Sequence, residues 1–137
     1  MISNPKYGWC DFKIKDFKGV CSYLTDVPKD LLDAFISYFT YGTGIAWINE
    51  EGSEFTLVLN PYSFFIISER DKVNLINLSD VKDIDLAKEL IADIEENIDS
   101  YSKFWCVIQQ NNLEAILEHK KEIELKIKQL KKIIGDE

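Results

Sequence analysis

From residue 9 to residue 15 apolar and polar positions alternate, with Cys10, Phe12 and Ile14 on one face and Trp9, Asp11, Lys13 and Lys15 on the other. This period of two marks a half-buried strand, because successive side chains of extended backbone point to opposite sides. A turn over residues 16–19 is expected to lead into a second strand over 20–24. In that register Cys21 lies opposite Ile14 and Tyr23 opposite Phe12, so the buried face stays apolar.

The period then changes. Leu31, Leu32, Phe35, Ile36 and Phe39 recur at helical spacing. Thr25 or Asp26 is placed to cap this helix, Pro28 suits a first turn where its missing N–H has no intrahelical partner, and Asp30 puts negative charge near the positive end. Gly42 stands where such a helix stops. Thr25-Asp26-Val27-Pro28 therefore reads as a helix start and not as a reactive loop.

Stranded pattern returns over 45–49, 55–59, 64–68 and 73–78, separated by Glu51-Gly52, Asn60-Pro61 and Glu69-Arg70-Asp71-Lys72. Connections this short join antiparallel neighbours. Beyond them, Leu86, Ala87, Leu90, Ile91, Ile94, Ile98 and Tyr101 fall within one arc of a helix. A second helix from about Asn112 to Gly135 lines up Leu113, Ile116, Leu117, Ile123, Ile127, Leu130 and Ile134. The expected fold is α+β over a single domain, 1–137. It has an antiparallel meander of about five to six strands, one helix after the first hairpin, and two C-terminal amphipathic helices packed on the sheet.

With 46% hydrophobic and 12% aromatic residues, the chain belongs with well-packed globular proteins. Its formal charge of −8 argues against a direct nucleic-acid ligand, which needs clustered Lys and Arg, and favours a basic partner. No leader pattern or apolar span of membrane length is seen, so a cytoplasmic protein without a membrane partner is expected. Cys10, Cys21 and Cys106 show no close pairing motif and read as reduced thiols; with His119 they match a zinc site in number but not in spacing. No metal or cofactor is expected.

Charge is unevenly placed. Over residues 80–99 eight acids meet two bases, a local balance of −6, whereas residues 113–134 carry four Glu and six Lys, a balance of +2. Asp85, Glu89 and Asp93 are like charges at i, i+4 spacing, which costs a few tenths of a kcal/mol per exposed pair. An acidic stripe kept at that cost suits the steering of a cationic partner. Glu50, Glu51 and Glu54 gather at a hairpin, where a surface turn or partner contact fits better than catalysis, since catalytic acids need a pocket. Trp47, among dense aromatics, is a candidate anchor for a protein partner. His119 sits on a Lys- and Glu-rich helix, and no nucleophile elbow or phosphate-cradling glycine loop accompanies it. An enzyme is not expected.

Ser22-Tyr23-Leu24-Thr25-Asp26-Val27-Pro28 with Leu31-Leu32, Glu51-Gly52-Ser53-Glu54-Phe55 and Asp93-Ile94-Glu95-Glu96-Asn97 carry a resemblance of general style to immunity proteins of bacterial toxin systems. The resemblance implies a small protein that binds and neutralises a cognate, basic toxin domain. Asp85, Glu89, Asp93 and Glu96 would make the contact. Two alternatives are a phage-type inhibitor or nucleic-acid mimic using the same acidic surface, and a small-ligand domain with a cleft between helix and sheet.

Overall fold

The computed structural model describes residues 1–108 and 111–136. Seven strands form two antiparallel sheets. β1 (Ile2–Lys6), β2 (Trp9–Ile14) and β3 (Phe17–Ser22) make the first; β4 (Gly44–Asn49), β5 (Glu54–Leu59), β6 (Phe65–Glu69) and β7 (Val73–Asn77) make the second. The α+β class and the antiparallel pairing stand, but the single meander of five to six strands is corrected to sheets of three and four. The division falls at helix α1 (Val27–Tyr41), which carries the chain away from β3 before β4 begins.

The β2–β3 register differs from the expected one. Cys10 pairs with Cys21, Phe12 with Gly19 and Ile14 with Phe17, so the turn is Lys15-Asp16. Relative to the expected pairing the shift is an even number of residues, so the apolar face remains the buried one. Tyr23 lies beyond the strand and is partly exposed. β1 carries little apolar pattern, only Ile2 being buried in the run Ile-Ser-Asn-Pro-Lys.

α1 packs on β4 at a close crossing: a Cβ at Gly44 would collide with the carbonyl of Ala34. Leu31, Leu32 and Phe35 of α1 join Ala46, Ile48, Leu57, Leu59 and Ile66 in one core. Phe12 and Phe17 of the first sheet meet Phe55 of the second, with ring centroids 4.8 and 5.1 Å apart, so aromatic packing ties the sheets together.

Among the described residues the C-terminal region has three helices where two were expected. α2 (Asp83–Glu96) ends at Asn97, and the short α3 (Ile98–Ser102) follows. α2 lies against β1, whereas α4 (Leu113–Ile134) packs on α1 and α3 and not on a sheet. The buried line of α4 is His119, Ile123, Ile127 and Leu130, with Leu113 and Leu117 exposed.

Candidate functional site

Because α1 and the first sheet cover one face of β4–β7, the opposite face is left to solvent. Strand register arranges it in rows. Ile45, Val58, Phe65 and Asn77 form the first, Trp47, Thr56, Ile67 and Leu75 the second, and Asn49, Glu54, Glu69 and Val73 the third. Ile45 is 63% exposed, Trp47 45%, Leu75 65% and Val73 67%. Val58, Phe65 and Ile67, half-buried between them, make the apolar surface continuous. Single exposed apolar residues are ordinary, but a contiguous patch bordered by polar groups marks a contact surface.

Trp47 is held in place on this face. Its indole Nε1 donates to Glu54 Oε2 at 2.6 Å. Glu54 is also the cross-strand partner of Glu69. The neighbouring Glu54 carboxyl, by hydrogen bond and charge, pushes the pKa of Glu69 above the usual carboxylate value. Like charges directly opposite each other destabilise a sheet. Among the described residues no Lys or Arg pairs with either Glu54 or Glu69. The third row therefore presents carboxylates without a cation beside an anchored indole.

The other two hairpin acids are placed differently. Glu51 and Gly52 form the expected turn, with φ of 55° and 122°, and Glu50 N–H donates to the Ser53 carbonyl at 3.0 Å. Glu51 Oε2 accepts from Ser22 Oγ at 2.6 Å. Glu50 is buried, which corrects the reading of the whole cluster as an exposed turn. Its oxygens accept from Arg70 Nε at 3.2 Å, Arg70 Nη2 at 3.0 Å, Ser53 Oγ at 3.0 Å and Val20 N–H at 3.2 Å. Burial works to raise its pKa, but Arg70 and the other donors outweigh burial and hold it below the ordinary value. Glu50 thus fastens β3 of one sheet to the turns of the other.

The stripe on α2 is largely met from within the molecule. Glu89 Oε1 and Asp93 Oδ2 accept from the Met1 amino group at 2.7 and 2.6 Å. Asp80 pairs with Lys15, Glu95 with Lys131 and Asp99 with Lys120, and Asp83 accepts from the Tyr38 hydroxyl. A cleft of about 650 Å³ sets Lys13 and Lys15 across from Asp85, Glu89 and Asp93. Of the four stripe residues singled out in the sequence, Asp85 and Glu96 alone lack an ion pair among the described residues; both are exposed. The structure does not gather Glu50, Glu51, Glu54 and Trp47 with this stripe into one site.

One buried pair escaped the sequence. Asp26 has no capping hydrogen bond to α1, contrary to expectation; its Oδ2 lies 2.7 Å from His119 Nε2. His119 Nδ1 lies 2.7 Å from the Ser102 carbonyl. Burial lowers the pKa of His119, but Asp26 and the Ser102 carbonyl outweigh it and leave a net rise. With an acceptor at each ring nitrogen, the imidazolium satisfies both by donating twice. Neither nitrogen is left for a substrate. The usable signal was that His119 precedes Ile123 and Ile127 at spacings of four on one helical line. Cys10 and Cys21 are buried cross-strand partners, whereas Cys106 is exposed. Among the described residues no group of His, Cys, Asp and Glu is arranged to hold a metal, and no helix is long and apolar enough to cross a membrane.

Comparison with protein-family models, curated proteins and solved structures produced no match.

Proposed function

We propose that the chain is a non-catalytic protein-binding domain that recognises a basic partner through the open face of β4–β7. In the immunity-type reading it neutralises that partner. One observation supports this most: an apolar face left uncovered by the fold, with Trp47 fixed by Glu54 and two carboxylates on its border that pair with no cation among the described residues. Apolar anchors in a water-excluding contact supply affinity, and charge at the rim supplies orientation and rate. A Lys or Arg from a partner would relieve the repulsion between Glu54 and Glu69, a gain available only in the complex. The exposed carboxylates of Asp85 and Glu96 add long-range attraction.

Capture from an extract of the native host tests this reading. Immobilised wild-type chain and an Asp85→Lys/Glu96→Lys variant are expected to retain the same basic protein, and Trp47→Asp to lose at least about tenfold of it, as a hot-spot anchor would. Equal retention by Trp47→Asp, with loss in the α2 variant, would return the contact to the helix.

A further inference from the structure

The open face ends at a strand edge that the fold leaves bare. β1 lies against α2 and α3, and β3 and β4 lie against each other. Among the described residues β7 has β6 as its only strand partner. In antiparallel pairing, residues alternate between those whose backbone groups point to the neighbour and those whose groups point away. Leu78 N–H donates to the Phe64 carbonyl at 2.8 Å, which assigns Leu78, and with it Ile76 and Asn74, to the side facing β6. The N–H and C=O groups of Val73, Leu75 and Asn77 therefore point outward. No backbone partner meets them among the described residues.

Edges of this kind are commonly blunted by Pro, Lys or a bulge. The sequence Val-Asn-Leu-Ile-Asn of β7 has neither residue, and its pairing with β6 runs without a bulge. The same three residues, Val73, Leu75 and Asn77, carry side chains on the open face. A strand laid along β7 would thus extend all three rows while satisfying the bare backbone groups.

Taking the binding face as established above, we infer that its partner contributes an extended segment that adds to β7 as a fifth strand. Charge and polarity fix the chemistry of that segment. Beside Leu75 and Asn77 it would continue rows holding Ile67 and Phe65, so apolar side chains fit there. Beside Val73 it would continue the row of Glu69 and Glu54, so a Lys or Arg fits. Added strands lie about 4.8 Å apart, and a long cationic side chain at that position spans Val73 towards Glu69. A second copy of this chain is the poorer occupant: it brings a charge of −8 to a surface already rimmed by carboxylates.

Amide NMR of the full chain, read with a synthetic probe, tests this. The probe is the capped peptide Lys-Thr-Val-Thr-Val-Thr-Lys, which presents Lys, Val, Val and Lys on one face in either strand direction; Glu-Thr-Val-Thr-Val-Thr-Glu is the control. The Lys peptide is expected to shift and slow the exchange of the Val73, Leu75 and Asn77 amides and to bind at least about tenfold tighter than the Glu peptide. Leu75→Pro removes an outward N–H and the exposed Leu75 side chain but no bond to β6, so it is expected to keep the sheet and lose the peptide. Leu75→Ala, which trims the side chain and keeps the N–H, is expected to retain binding within about tenfold of wild type. If Leu75→Pro disturbs the sheet, N-methylation of the Lys peptide at its β7-facing amides tests the same bonds on wild-type protein and must abolish binding. Equal binding of both peptides, unchanged edge amides, full binding of the methylated peptide, or dimerisation without peptide that Leu75→Pro abolishes would each overturn the inference. In host capture, a partner lost by Trp47→Asp but kept by Leu75→Pro overturns strand addition alone. A partner kept by both overturns the face as well.

Discussion

Asp26 and His119 join the start of α1 to the middle of α4 through a pair of groups that are each nearly inaccessible to water. Removing Asp26 leaves the buried His119 Nε2 without its partner, and the imidazole sheds its proton because burial lowers its pKa, so Asp26→Ala is expected to cost about 1–3 kcal/mol in chemical denaturation. The pH dependence has a definite sign. The folded pKa of His119 is raised above its ordinary 6.5, so its contribution is complete below that value and fades as pH rises through the folded value. Melting temperature followed across that range is expected to fall with rising pH, and the fall is expected to vanish in His119→Gln. A wild-type profile unchanged by the substitution would show that the pair is not ionised. Glu50 behaves oppositely: its lowered pKa makes its contribution present above the usual 4.5 and lost as acid protonates it. Arg70→Met, which leaves the Glu50 carboxylate with Val20 N–H and Ser53, is expected to cost about 1–3 kcal/mol by urea denaturation. A change under half a kcal/mol would contradict that role.

At the scale of elements, alternation made β2 and β4–β6 readable, because each has one dry face and one wet face. β1 was not readable: Ser3, Asn4 and Lys6 are exposed, and its one buried residue pairs across to Phe12 in a register the strand itself does not encode. The division into two sheets was equally hidden, since it depends on where α1 comes to rest. That position is set by Gly44, whose missing side chain lets β4 reach the backbone at Ala34. Gly44→Ala is expected to part helix and strand and to destabilise at the upper end of the roughly 1–3 kcal/mol usual for overpacking, or beyond it. A thermal melt matching wild type would contradict that close approach. The charge stripe of α2 was legible as composition, but its partners were not, because Lys15, Lys131, Lys120 and the Met1 amino group reach it from distant positions. Trp47 and Glu54 were legible as candidate contacts; Glu69, their cross-strand companion, became visible only through β-strand register.

Across the whole molecule, core and charge leave one large surface without an internal use. α2 spends most of its carboxylates on the protein's own cations and on Tyr38. The bonds from Val20 N–H to Glu50 and from Arg70 to the Lys18 carbonyl, with the three-phenylalanine cluster, bind the sheets together and place β4–β7 with one face outward. A partner meeting that face would cover Trp47 and bring cations to Glu54 and Glu69. Hydroxyl-radical footprinting of the chain alone and with its captured partner measures this directly. Ile45, Trp47, Phe65 and Leu75 are expected to become protected while the exposed side of α2, read at Ile84 and Lys88, reacts unchanged. Protection of α2 with an equally reactive Trp47 in both states would contradict a contact on the open face.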